Sequence, residues 1–257
     1  MMLQFGAGEL FAQGISDAFG NLMTMPTPIR IAGLQEFSVD VQTELKSFHG
    51  QGRFALATAQ GKSKVTGKAK GALLNGTALN TLVFGQEIAT GKMKAIHAEA
   101  VGLKIPSSGA YTLTPAAPQR GKFTDDLGVM AEDGSAMVKV AANPQAGQYS
   151  VSAAGVYTFN EADKGKTVYP SFTYFFDYQA AKRIDLNNLP MGNNASFKLF
   201  YVGTFQGKKA YIELYSVTSG KLGLFRSKND DFSVPEIDFE ASTDATGLKV
   251  GFICLME

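Results

Sequence analysis

A chain of 257 residues, 45% hydrophobic and 18% charged, can bury a substantial core and has the make-up of a globular protein, not a disordered one. A net charge of +1 gives it no overall attraction for nucleic acid or acidic lipid. Two histidines and one cysteine are too few for a zinc quartet, and a single thiol excludes an internal disulfide.

Residues 1–28 are rich in glycine and end at Pro26 and Pro28. They read as an irregular arm, with at most a short helix around Glu9 to Ala12, that docks on its own domain or on a neighbour. The stretch has no basic residue before Arg30 and carries Glu9 and Asp17, so it lacks the pattern of a secretory signal. No apolar run approaches the roughly 18 residues that span a bilayer. A cytoplasmic protein, or one assembled into a particle there, is expected.

From Ile29 the chain alternates. Val39 and Val41 share one face of a predicted strand, and Ser38, Asp40 and Gln42 share the other. In "GKSKVTGKAKGALLN" the residues Lys62, Lys64, Lys68 and Lys70 fall on one strand face. That pattern suits a solvated edge strand guarded by lysine. "NGTALNTLVFGQ" is the best helix, over about 77–84, with Thr77 as N-cap, Ala78, Leu79, Leu82 and Val83 as its apolar stripe and Gly85 as its stop. Two turns do not persist alone, so it must pack on a sheet.

The rest is predominantly β. Met93, Ala95, His97 and Glu99 alternate with Lys94, Ile96, Ala98 and Ala100. Turn signals recur at roughly ten-residue intervals, the spacing of a sandwich or barrel. The expected fold is all-β with minor α: a two-sheet β-sandwich, barrel-like, with one short flanking helix, and residues 29–257 forming a single domain.

Signals for chemistry are sparse. "GKSKVTGKA" has the wrong glycine spacing and no hydroxyl after its lysine, so it is not a phosphate loop. The pairs Asp125–Asp126 and Asp230–Asp231 read as turn residues, and Glu236 with Asp238 as one solvated strand face. His97 reads as an ordinary strand residue, and Cys254, in "VGFICLME", as a small buried hydrophobe. No catalytic residue, metal site or cofactor is expected, and the chain is not read as an enzyme.

The stretch "QYSVSAAGVYTFNEADKGKTVYPSFTYFF" (148–176) is the most distinctive. Its second strand carries Val168, Pro170, Phe172, Tyr174 and Phe176 on one face and Tyr169, Ser171, Thr173 and Phe175 on the other. Apolar residues on both faces imply double-sided burial. Pro170 cannot donate a ladder bond, which suggests an edge or a bulge.

"GVYTFNEADKGKTVYPSFTYFF", following "VKVAANPQAGQYSV", resembles a signature of virion proteins of tailed bacteriophages. Upstream, "GLQEFSVDVQTELKSFHGQGRFALATAQGKSKVTGKAKGALLNGTALNTLVFG" is similar to the first half of the phage major tail (tail tube) protein family, and "FSVPEIDFEASTDATGLKVGFICLME" is similar to its last strands. The resemblance covers about residues 28–257. It implies subunits that form hexameric rings stacked into a hollow tube for genome passage, with ring-to-ring contacts from a long hairpin at about 44–66. It further implies partners of three kinds: copies of the chain, other tail proteins (tape measure, terminator and distal components) and DNA in non-specific transit. Assembly in a bacterial cytoplasm into a virion, without a membrane, goes with it. Candidates for subunit contacts are then Lys46, His49, Lys62, Lys64 and Lys68, together with Tyr157, Pro170 and Tyr174. The four lysines at 62–70 are expected at ring-to-ring contacts and away from the lumen.

The same residues also fit other readings. They are a decoration, head-completion or tail-terminator protein, the tube of a contractile secretion system, and a β-sandwich module gripping carbohydrate with Tyr157, Tyr169 and Tyr174.

Overall fold

In a computed structural model, the residues described are 6, 8–73, 75–224, 230 and 232–256. The chain forms two compact units: residues 1–88 with 184–257, and residues 89–183 between them. A single domain over 29–257 was expected from the sequence. The division arises because 89–183 form their own sheets and their own core.

Along the chain, β1 (Glu9–Ser16), β2 (Ile29–His49), β3 (Ala55–Leu73) and the helical turn α1 (Gly76–Leu79) belong to the first unit. The second unit holds β4 (Ala89–Ala98), β5 (Leu103–Lys104), β6 (Thr112–Leu113), β7 (Lys122–Ala131), β8 (Val138–Lys139), β9 (Gln148–Val151), β10 (Tyr157–Phe159) and β11 (Thr167–Arg183). The first unit then resumes with β12 (Ser196–Phe205), β13 (Lys208–Gly223), β14 (Glu236–Ser242) and β15 (Gly251–Leu255).

The first unit is all antiparallel in the order β12-β1-β2-β3-β14-β13-β15, and β12 also pairs with β13. Six strands therefore close on themselves as a barrel, and β15 adds to β13 beside the end of β14. Closure removes the edges an open sheet would leave exposed. Inside lie Leu10, Ala12, Ile31, Phe197, Leu199, Tyr201, Leu214, Val217, Ile237 and Phe239. Gly67 faces inward because the Phe239 ring occupies the space a Cβ would need: its Cζ is 2.3 Å from that position.

The expectation of an irregular N-terminal arm is corrected by β1. It lies between β12 and β2, with Leu10 and Ala12 fully buried. Glycine and alanine dilute its alternation (Leu10, Ala12 and Gly14 inward), so the strand period is faint in the sequence.

The predicted helix is present, as one α turn running into a π-helical turn at Asn80–Phe84. Its N-cap is Asn75, not Thr77: the Asn75 Oδ1 accepts from the Ala78 N–H at 2.9 Å. Leu82 joins the barrel core, meeting the requirement that so short a helix be packed on a sheet. Gly85 ends it in the left-handed region (φ +55°), where its N–H donates to the Asn80 carbonyl at 2.6 Å.

In the second unit, β11 is the centre of one sheet, flanked by β7 on one side and by β4 and β5 on the other. A second sheet runs β6-β10-β9-β8. The core between them holds Ile105, Val129, Tyr149, Tyr157, Phe159 and Val168. The described residues thus form three sheets where two are expected, within the predicted all-β class with minor α. Pro170 is not on an edge strand. It lies where the β4 ladder stops at Ala98 and before β5 begins at Leu103, and its carbonyl accepts from the Glu99 N–H at 3.1 Å. Its missing donor therefore falls where the ladder to β4 and β5 is interrupted.

Candidate assembly surface

β2 and β3 form one long hairpin whose pairing runs from Ala32↔Leu73 to His49↔Ala55. β14 accompanies β3 only between Val65 and Lys70, and β1 accompanies β2 only between Ile29 and Ile31. Beyond Val41↔Val65 the hairpin continues as a two-stranded ribbon, with no third strand among the described residues. Isolated two-stranded ribbons are marginal in water. This one also exposes Val41, Leu45, Phe48, Phe54 and Leu56, with Leu45 and Leu56 each 71% accessible. Lys46 and His49 stand on the same exposed segment. Lys62 does too, beside a register shift between Thr43 and Leu45.

Lys64 and Lys68 are placed differently. β3 is not an edge strand here: it sits between acidic positions of β2 and β14. Lys64 pairs with Glu240 at 2.9 Å and Lys68 with Glu236 at 2.8 Å, while Lys70 pairs with Glu36. Lys221 of β13 approaches Glu236 and Asp238 at 3.8 and 3.7 Å. Four strands thus carry one ladder of opposite charges across the outer barrel face. The predicted shared face of Glu236 and Asp238 is present, and it is occupied by lysine. The hydrogen bond from Lys68 holds the Glu236 carboxyl below its ordinary value despite partial burial, and Glu236 in turn raises Lys68.

β15 supplies a second open feature. It is bonded to β13 along one edge, and Ile253, Leu255 and Met256 are exposed. Cys254 is exposed as well, which corrects its reading as a buried hydrophobe: the outer edge of this strand has no covering layer among the described residues.

The aromatic candidates Tyr157, Pro170 and Tyr174 are buried inside the second unit and face no solvent. A carbohydrate face on Tyr157, Tyr169 and Tyr174 is therefore not formed, since two of the three rings are interior. Tyr149 and Tyr157 donate their hydroxyls to Asp126, at 2.8 and 3.0 Å. The Gly128 N–H and the Lys139 ammonium complete its shell at 3.1 and 3.0 Å. Asp125 and Asp126 are strand residues, not turn residues. Register shifts in β7 around Leu127 and Thr124 turn Asp126 inward beside Phe172 and leave Asp125 outside with Lys94 and Thr173. Burial opposes ionisation of Asp126, but the bonds from Lys139, Tyr149, Gly128 and Tyr157 outweigh it and lower its pKa. Both tyrosines are pushed far above their ordinary value, by burial and by that carboxylate.

His97 is a strand residue as expected, tilted against Phe172 with its Nε2 3.3 Å from Glu99 Oε2. Of the second acidic pair, Asp231 lies outside the described residues. Among the described residues no group of three or more His, Cys, Asp or Glu side chains is placed to hold a metal ion, and no helix is long and apolar enough to cross a membrane. Compared with known proteins, the chain matches no family model and is similar to no curated sequence.

Proposed function

We propose that this chain is a self-assembling structural protein of a phage virion, a major tail protein whose copies form stacked hexameric rings around a lumen for DNA. The observation that carries the reading is the ribbon at 41–65, which is long, two-stranded and apolar on its surface. Such a surface is a liability in an isolated monomer and is stabilised when another copy covers it. It coincides with the segment to which the tail-tube resemblance assigns ring-to-ring contacts. The open edge of β15 adds a strand that a neighbour in a ring can extend, a heterologous contact of the kind that closes by rotation.

The lysines enter this proposal in altered form. Lys64 and Lys68 already have partners on their own barrel, so the ring-to-ring role passes to the ribbon's apolar residues with Lys46, His49 and Lys62. Negative-stain microscopy of the purified protein at rising concentration tests the reading. Long hollow tubes are expected from the intact chain and not from Leu45→Asp with Leu56→Asp. Persistent monomers of the intact chain at every concentration would overturn it, and closed single rings would favour a terminator or head-completion role.

A further inference from the structure

The second unit contains a cleft of about 790 Å³, within the size range of small-ligand sites. Four cationic side chains line it: Lys92, Arg120, Lys122 and Arg183. A single carboxylate, Asp177, lies among them. The chain as a whole is nearly neutral, so this is a local concentration of positive charge.

Ion pairing is uneven among the lysines of the chain. Lys64, Lys68, Lys70, Lys94, Lys139 and Lys166 each have a carboxylate partner at ion-pair distance. Lys92, Arg120 and Lys122 have none among the described residues. Lys122 stands across from Phe175, and Lys92 across from Asp177, in the strand register. Cations that outnumber the carboxylates around them repel one another unless an anion joins them.

Backbone conformation adds an independent sign. Gln119 and Arg120 both have positive φ, 55° and 54°, in consecutive non-glycine residues. A left-handed conformation is strained for a residue with a Cβ, and strain of this kind gathers where a side chain must be aimed at a ligand. Here it sets the position of Arg120 at the cleft wall. Phe175 and Phe176, both partly buried, supply an apolar wall beside the cations. Guanidinium and ammonium groups next to aromatic rings form a surface for phosphate and a stacked base together.

We propose that this cleft binds a nucleotidyl ligand, phosphate and planar ring together, supplied either by free nucleotide or by a single nucleic-acid strand. The proposal does not depend on tube formation.

The test uses the intact chain with three probes: ATP, a labelled dT oligomer and pyrophosphate. ATP or the oligomer is expected to bind saturably, and to bind about tenfold more tightly than pyrophosphate because the ring stacks. Lys92→Gln with Lys122→Gln should weaken binding by about tenfold or more, and raising salt from about 50 to about 200 mM should weaken it further. Lys164→Gln, which removes an exposed charge of the same unit outside the cleft, should leave affinity unchanged. An oligomer that binds more tightly than ATP identifies the strand as source, and equal affinities identify the free nucleotide. Absence of saturable binding, pyrophosphate binding as tightly as ATP, or equal loss in Lys164→Gln each overturns the proposal. So does a double variant that alters self-association and leaves nucleotide affinity unchanged. Circular dichroism of the Gln variants confirms that the comparison is between folded proteins.

Discussion

The Tyr157 hydroxyl donates to Asp126 Oδ1 at 3.0 Å from a ring with no solvent exposure. This bond ties β10, on one sheet of the second unit, to β7 on the other. Asp126 receives a matching bond from Tyr149 Oη, so the carboxylate fastens the sheets at two points.

Removing that carboxylate strands two buried phenols. Asp126→Ala is expected to lower unfolding free energy by about 2–5 kcal/mol, the range for breaking a buried charged network by one partner. Tyr157→Phe removes one bond and should cost about 1.5–3 kcal/mol. Urea denaturation followed by far-ultraviolet circular dichroism measures both. Equal stability of Asp126→Ala and the parent protein would show that the network contributes nothing.

The same network limits stability at both ends of the pH scale. Asp126 has a folded-state pKa below its unfolded value, so its contribution is present above about pH 4 and is lost as pH falls through the depressed value. Tyr149 and Tyr157 have raised values, so theirs is present below about pH 10 and is lost as pH rises beyond it. Absorbance titration at alkaline pH should show Tyr149 and Tyr157 ionising only as the protein unfolds. If both ionised before the loss of circular dichroism, this account would fail.

Substitution of Gly85 tests the helix stop. A Cβ there would sit 2.6 Å from the Ala18 nitrogen and 2.7 Å from the Ala195 Cβ, at a φ of +55°. Left-handed strain and overpacking together predict a loss of about 2–4 kcal/mol for Gly85→Ala. Thermal unfolding measures it, and a midpoint equal to that of the parent would refute the packing described.

The ribbon should separate assembly from folding. Leu45→Asp and Leu56→Asp alter exposed side chains, so monomer stability should change by less than about 0.5 kcal/mol. Sedimentation velocity should nevertheless show loss of large assemblies. Charge reversal at Lys64 and Lys68 is expected to act the other way, disturbing the barrel face through Glu240 and Glu236. That effect should shrink at high salt, because these pairs are solvated.

The sequence was most legible where period and turn chemistry agreed. Alternation around Val39, Met93 and Phe172 marked real strands, and Gly85 marked the helix end. β1 was hidden because small residues fill its inward positions. The inward turn of Asp126 was hidden because a bulge reverses the facing of a residue without changing its neighbours in sequence. Ion pairing of Lys64 and Lys68 depended on which strand lies beside β3, and β14 follows more than 160 residues later. The cleft cations come from three strands and a loop, so no local spacing announces them.

Barrel closure also fixes an order of events during synthesis. β1 pairs with β12, matching Glu9 to Val202, so β1 must wait for a partner emerging nearly two hundred residues later. Residues 89–183 are continuous and contain their own core, and can fold while the remainder is still being translated. The outer segments make contacts of high sequence separation and are the slower to fold. Until β12 and β14 leave the ribosome, Leu10 and the long hairpin lack native partners. The nascent chain is then most prone to premature association, and the rate of translation through residues 196–242 sets how long that interval lasts.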